Sequence, residues 1–143
     1  MSKIPAAIDR LVQMLTVGLP AVQVIDGPPI VNLEETGVCI GYAGSIDMLS
    51  VASVSDGAGL MAEAETFDIN CLAWQRSGED DIKPVRDGVF AVIASINALL
   101  ANDRRLGGAV VNAHLRIVDL DQTQTPDGTW AVIAFTVTCK AFT

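Results

Sequence analysis

Apolar residues recur along the chain at two spacings, and the changes from one spacing to the other mark out its elements. Ile8, Leu11, Val12 and Leu15 share one helical face. Ser2 is placed to cap that helix, Pro5 suits its first turn, and Gly18-Leu19-Pro20 stops it. Val22 to Ile25 predicts a short strand, ended by Asp26-Gly27-Pro28-Pro29; Val38, Ile40 and Tyr42 alternate as a second. From Ala62 to Trp74 the alternation is clear: Phe67, Ile69, Cys71 and Ala73 are apolar, whereas Thr66, Asp68 and Asn70 are polar. One face of that strand packs and the other does not.

The period then lengthens. Val85, Val89, Val92 or Ile93, Ile96 and Leu100 form an apolar stripe, predicting a helix from about Ile82 to Ala101. Glu79, Asp80 and Asp81 precede it, where carboxylates satisfy free N–H groups and the helix dipole. Leu106-Gly107-Gly108 predicts a turn. In a strand from about Ala109 to Leu120, Val111, Ala113, Leu115 and Ile117 face one way and Asn112, His114 and Arg116 the other. Thr125-Pro126-Asp127-Gly128 carries turn chemistry, and Ala131, Ile133, Phe135, Val137 and Cys139 make the packed face of a last strand.

Residues 43–60, AGSIDMLSVASVSDGAGL, break both patterns. Glycine, serine and aspartate predict a loop, yet Ile46, Met48, Leu49, Val51 and Val54 are too apolar for a solvated one. The segment either folds back on its own core or docks on a partner. The order helix, two strands, loop, strand, helix, two strands predicts a single α+β domain over residues 1–143: a two-layer sandwich with both helices on one face of a mainly antiparallel sheet. Thr66, Asp68, Asn70, Asn112, His114, Arg116, Thr136, Thr138 and Lys140 fall on the other face, which suits solvent or another subunit.

Composition narrows the function classes. At 143 residues, half of them apolar, the chain can bury a core without staples. No apolar run approaches the length of a bilayer span, and Asp9 and Arg10 interrupt the one candidate signal core, so manufacture and use in a cytoplasm are expected. Cys39, Cys71 and Cys139 are far apart inside apolar stretches and read as buried free thiols. With His114 the lone histidine, no zinc set is expected, and no other metal or cofactor. The net charge of −8, without a basic cluster, speaks against gripping nucleic acid.

Candidate chemistry is sparse. Asp68, Cys71 and Glu79 stand together in sequence without the partners a reaction needs, and capping accounts for the acids at 79–81. His114 sits mid-strand, a surface or interface histidine before a catalytic base. Gly41-Tyr42-Ala43-Gly44-Ser45 lacks the lysine and third glycine of a phosphate loop. No enzymatic activity is expected, so the long strand at 65–77 reads as frame.

The chain resembles the tail terminator proteins of long, non-contractile-tailed bacteriophages, especially those of actinobacterial phages and prophages. The resemblance rests on the early helix, Asp26-Gly27-Pro28-Pro29 after the first strand, and Val38-Cys39-Ile40-Gly41. It is densest at Glu65-Thr66-Phe67-Asp68-Ile69-Asn70-Cys71 with Trp74, Ser77-Gly78 and Asp81. Arg86 in the long helix, Leu106-Gly107-Gly108 and the closing hairpin complete it. It implies a virion protein assembled in the host cytoplasm, a homo-oligomer forming a hexameric ring at the head-proximal neck. Such a ring caps the tail tube, ends its polymerisation and meets the head-side connector, while DNA passes through without sequence-specific binding. Membranes have no part in this. Met48, Leu49, Val51, Asn112, His114 and Arg116 are then candidates for contacts with a neighbouring subunit or the tube. Asp119, Asp121 and Asp127, around the hairpin, are candidates for the lumen. The alternatives are another neck or head-closure component, or a small ligand-binding or enzymatic domain using 43–60 as a lid.

Overall fold

The computed structural model describes residues 2–29, 32–42, 51–55 and 64–142, with the backbone alone for 51–55. Helix α1 (Ile4–Gly18) is followed by strands β1 (Gln23–Asp26), β2 (Thr36–Ile40), β3 (Val51–Ser55) and β4 (Ala64–Ser77). Helix α2 (Ile82–Asn102), a short 3-10 turn (Leu106–Gly108), β5 (Asn112–Thr125) and β6 (Gly128–Phe142) complete the chain. The fold is α+β, with a mostly antiparallel sheet in the order β1-β2-β4-β6-β5 and β3 also joined to β4. The β1–β2 pair is parallel.

On β4 and β6 the predicted faces are where the sequence placed them. Of the face expected on β5, only Ala113 is buried; Leu115 is half-buried, and Val111, which precedes the strand, and Ile117 are exposed. Phe67, Ile69, Cys71 and Ala73 of β4 and Ala131, Ile133, Phe135, Val137 and Cys139 of β6 are buried. They pack under Val85, Val89, Val92, Ile93, Ile96 and Leu100 of α2 and Ala7, Leu11, Met14 and Leu15 of α1, in one apolar core. Burying each large side chain contributes about 1.5–3 kcal/mol. Asp81 caps α2, its carboxylate accepting from the Lys83 N–H at 3.2 Å. Glu79 and Asp80 serve through their backbone carbonyls, which accept from Thr129 and Gln124. At α1 the cap position is Lys3, and the Ser2 hydroxyl accepts from the Ile4 N–H.

Three expectations need correction. Residues 43–60 are not loop throughout, because 51–55 form β3, antiparallel to β4 from Val51↔Ile69 to Ser55↔Glu65. Two valines in five residues are enough when a long strand offers its edge. The last long strand pair also reaches further than expected, β5 continuing to Thr125. Finally, α2 is long and apolar enough, by length and composition, to cross a membrane. Its outward side explains that: Ala91, Ala94, Ser95 and Ala98 are exposed but uncharged. Its buried stripe lies on the sheet, as in the core helix of a two-layer domain.

β2 and β3 share one edge of β4. β2 pairs with residues 71–75 and β3 with residues 65–69, both antiparallel. The two strands are thus successive parts of one line along β4, parted where the chain departs at Gly41 with φ 76° and returns at Val51.

Candidate functional site: the polar face of the sheet

Cross-strand register gathers the predicted polar residues into three adjacent rows. Thr66, Lys140 and Asn112 form one row; Asp68, Thr138 and His114 the next; Asn70, Thr136 and Arg116 the third. Thr136 is buried and its hydroxyl donates to the Asn70 side-chain oxygen at 3.0 Å. Asp68, one of the candidates for chemistry, lies in the middle row between strands, where its direct partner is Thr138.

His114 is engaged at both ring nitrogens. Nδ1 lies 3.3 Å from an Arg104 guanidinium nitrogen, and Nε2 lies 2.8 Å from the Asn112 amide. An arginine can only donate, so Nδ1 accepts and the proton of the neutral ring sits on Nε2. The Asn112 amide must then turn its oxygen toward His114, an assignment made from the network. Arg104 also donates to the Ala113 carbonyl at 3.2 Å. This arrangement anchors the turn after α2 to β5.

A β-bulge decides where the candidate acids point. The register steps from Ile117↔Phe135 to Asp119↔Ala134, leaving Val118 as the extra residue. Strict alternation from Ile117 would send Asp119 and Asp121 to the helix side. The bulge returns both to the face that carries Asn112, His114 and Arg116, and keeps Leu120 opposite Ile133 over the core. Asp119 and Asp121 are exposed, and Asp127 occupies the exposed turn of the hairpin. Interface and lumen candidates therefore share one face, with Asp127 at its end. Met48 and Leu49 lie outside the described residues; Val51 is the first residue of β3, described by its backbone.

The same face becomes apolar away from these rows. Leu72 and Ala134 sit in the row of Asp119, and Trp74 and Val132 in that of Asp121. Trp74 is buried, its indole donating to the Glu34 carbonyl at 2.9 Å. Arg76 donates to the Leu33 carbonyl, and its own N–H to that of Glu35. Sequence reading missed this anchorage of 33–36. A tryptophan at a polar-face position was its one visible sign.

The three thiols are buried and free. Burial pushes Cys39 up to about 11 and Cys71 and Cys139 up to about 12, so all stay protonated and poorly nucleophilic at neutral pH. Among the described residues no group of three or more His, Cys, Asp or Glu side chains is placed to hold a metal ion.

No family model and no curated protein matches the chain. A solved structure titled "Virion of native gene transfer agent (GTA) particle" contains a chain similar to it at 15% identity and a TM-score of 0.35. The match covers 92% of this chain and 84% of the other. A likeness at that level carries no argument about function.

Proposed function

We propose that this chain is a structural virion protein, the tail terminator of a long non-contractile phage tail, acting as one subunit of a ring. The observation that carries the reading is the asymmetry of the sheet. Both helices cover one face, whereas the other presents rows of short polar and charged side chains around Asn112, His114 and Arg116. The sheet ends in unlike edges, β5 on one side and β1 and β3 on the other. A subunit with two unlike flanks joins head to tail, and such contacts close into a ring when the rotation permits.

In that ring the polar face turns inward. Asp119 and Asp121 then meet the channel, and the −8 charge of each copy favours a passage that lets DNA slide. The chain performs no chemistry; its work is to fit the end of the tube and the connector above it.

Electron microscopy of tails carrying a labelled copy of this protein tests the reading. One ring of label is expected at the head-proximal end, and tails lacking the protein should grow past their normal length. Label spread along the tube, or a single copy per tail, would overturn it. A ring present on heads that lack tails would assign the chain to head closure.

A further inference from the structure

The outer edge of β5 carries backbone groups whose direction follows from the register. The two-residue turn Pro126-Asp127 makes Thr125 and Gly128 the hydrogen-bonded pair that closes the hairpin. Counting along β6 by twos, Ala134, Thr136 and Thr138 also face β5 with their N–H and C=O groups. Their partners Asp119, Arg116 and His114 do the same. The residues between, Ala113, Leu115 and Ile117, turn theirs outward. Arg104 agrees, since it reaches the Ala113 carbonyl from outside the sheet.

Beside this row lies an open groove. Phe90, Ile93, Ala94 and Asn97 of α2 form one wall, and Leu115 and Ile117 of β5 the other. Two of its lining residues are large apolar side chains left open, Phe90 40% and Ile117 44% exposed. The slot has two ends: Arg104 occupies the Ala113 carbonyl, and the bulge at Val118 breaks the regular edge. Between them Leu115 and Ile117 each offer one N–H and one C=O. Only an extended segment satisfies such a row while filling the groove with alternate side chains.

We propose that the slot receives strand β3 of a second copy of this chain, adding it to the sheet beside β5. Three observations select that occupant. Among the described residues the outer edge of β3 has no partner strand. It lies on the opposite side of the sheet from β5, so the contact joins unlike surfaces and repeats head to tail. Its sequence, Val51-Ala52-Ser53-Val54-Ser55, is short and uncharged, matching a short slot with an uncharged lining. The inference rests on the ring reading above and names the contact that closes it.

The test combines native mass spectrometry with amide hydrogen exchange, on free protein and on protein added to isolated tail tubes. Wild type should form rings in which the Leu115 and Ile117 amides exchange at least tenfold more slowly than in the monomer. Ile117→Pro removes one outward N–H without touching the bonds to β6, and should stay monomeric with an unchanged circular dichroism spectrum. Ile117→Val should assemble normally. Should the proline variant misfold, an acetylated peptide of residues 50–56 added to wild type should still block ring formation. Wild-type rings with fast Leu115 and Ile117 amides would overturn the slot and leave the ring standing. Assembly that stops at two copies would mean that β5 pairs with itself, which also overturns it. Wild type that forms no ring even on tube ends would sink the ring reading, and this contact with it.

Discussion

Gly37 and Trp74 sit directly opposite each other on β2 and β4, and the indole lies across the glycine. A Cβ built at Gly37 would come within 2.1 Å of the ring. Gly37→Ala must therefore displace the indole, break its bond to Glu34 and cost about 1–3 kcal/mol. A lowered melting temperature with a red shift in tryptophan emission checks this; unchanged emission would mean that the ring tolerates the methyl group. The cysteines make a second prediction. Their folded values near 11 to 12 exceed the ordinary 9.0 because burial disfavours the thiolate. The unfolded chain thus loses those protons first, and the stability they confer is present below pH 9 and falls as pH rises toward 12. Melting curves of wild type should decline more steeply over that window than those of a Cys39→Ala, Cys71→Ala, Cys139→Ala variant. Parallel curves would contradict the assignment.

At the level of elements, legibility followed from how local the signal was. The stripe on α2 and the alternation in β4 and β6 depend on residues a few positions apart, and both faces are as read. β3 was not legible, because its five residues are flanked by glycine, serine and aspartate and its reason for being a strand is the edge of β4. The bulge was equally hidden: Asn112, His114 and Arg116 share a face by simple alternation, but nothing local shows that Val118 is the extra residue. Deleting Val118 checks that account. The pairs Ile117↔Phe135 and Asp119↔Ala134 can then follow directly, so the acids stay on the polar face and Leu120 stays over the core. The variant should fold, and its straighter free edge should make it associate at lower concentration, as gel filtration would reveal.

For the whole molecule, charge and edges carry the functional argument. Six copies would bring about −48 formal charges together, felt over roughly 8 Å at physiological salt. Asp119, Asp121 and Asp127 sit where a channel would feel them if the polar face turns inward. Replacing all three, as Asp119→Lys, Asp121→Lys and Asp127→Lys, should slow DNA ejection at low salt, with recovery as salt rises, and leave ring formation unchanged. Ejection at the normal rate at every ionic strength would show that these residues do not line the passage.

The line shared by β2 and β3 has a consequence for engineering. Ile40 faces Cys71 and Val51 faces Ile69, so a single residue opposite Asn70 would suffice to join them. β2 and β3 could therefore be one uninterrupted edge strand. A foreign sequence inserted between β2 and β3 beside the native residues would leave and rejoin the sheet at the neighbouring points Ile40 and Val51, so doubling its length costs only about 0.6 kcal/mol in loop closure. The site is suited to carrying an epitope or a fluorescent tag.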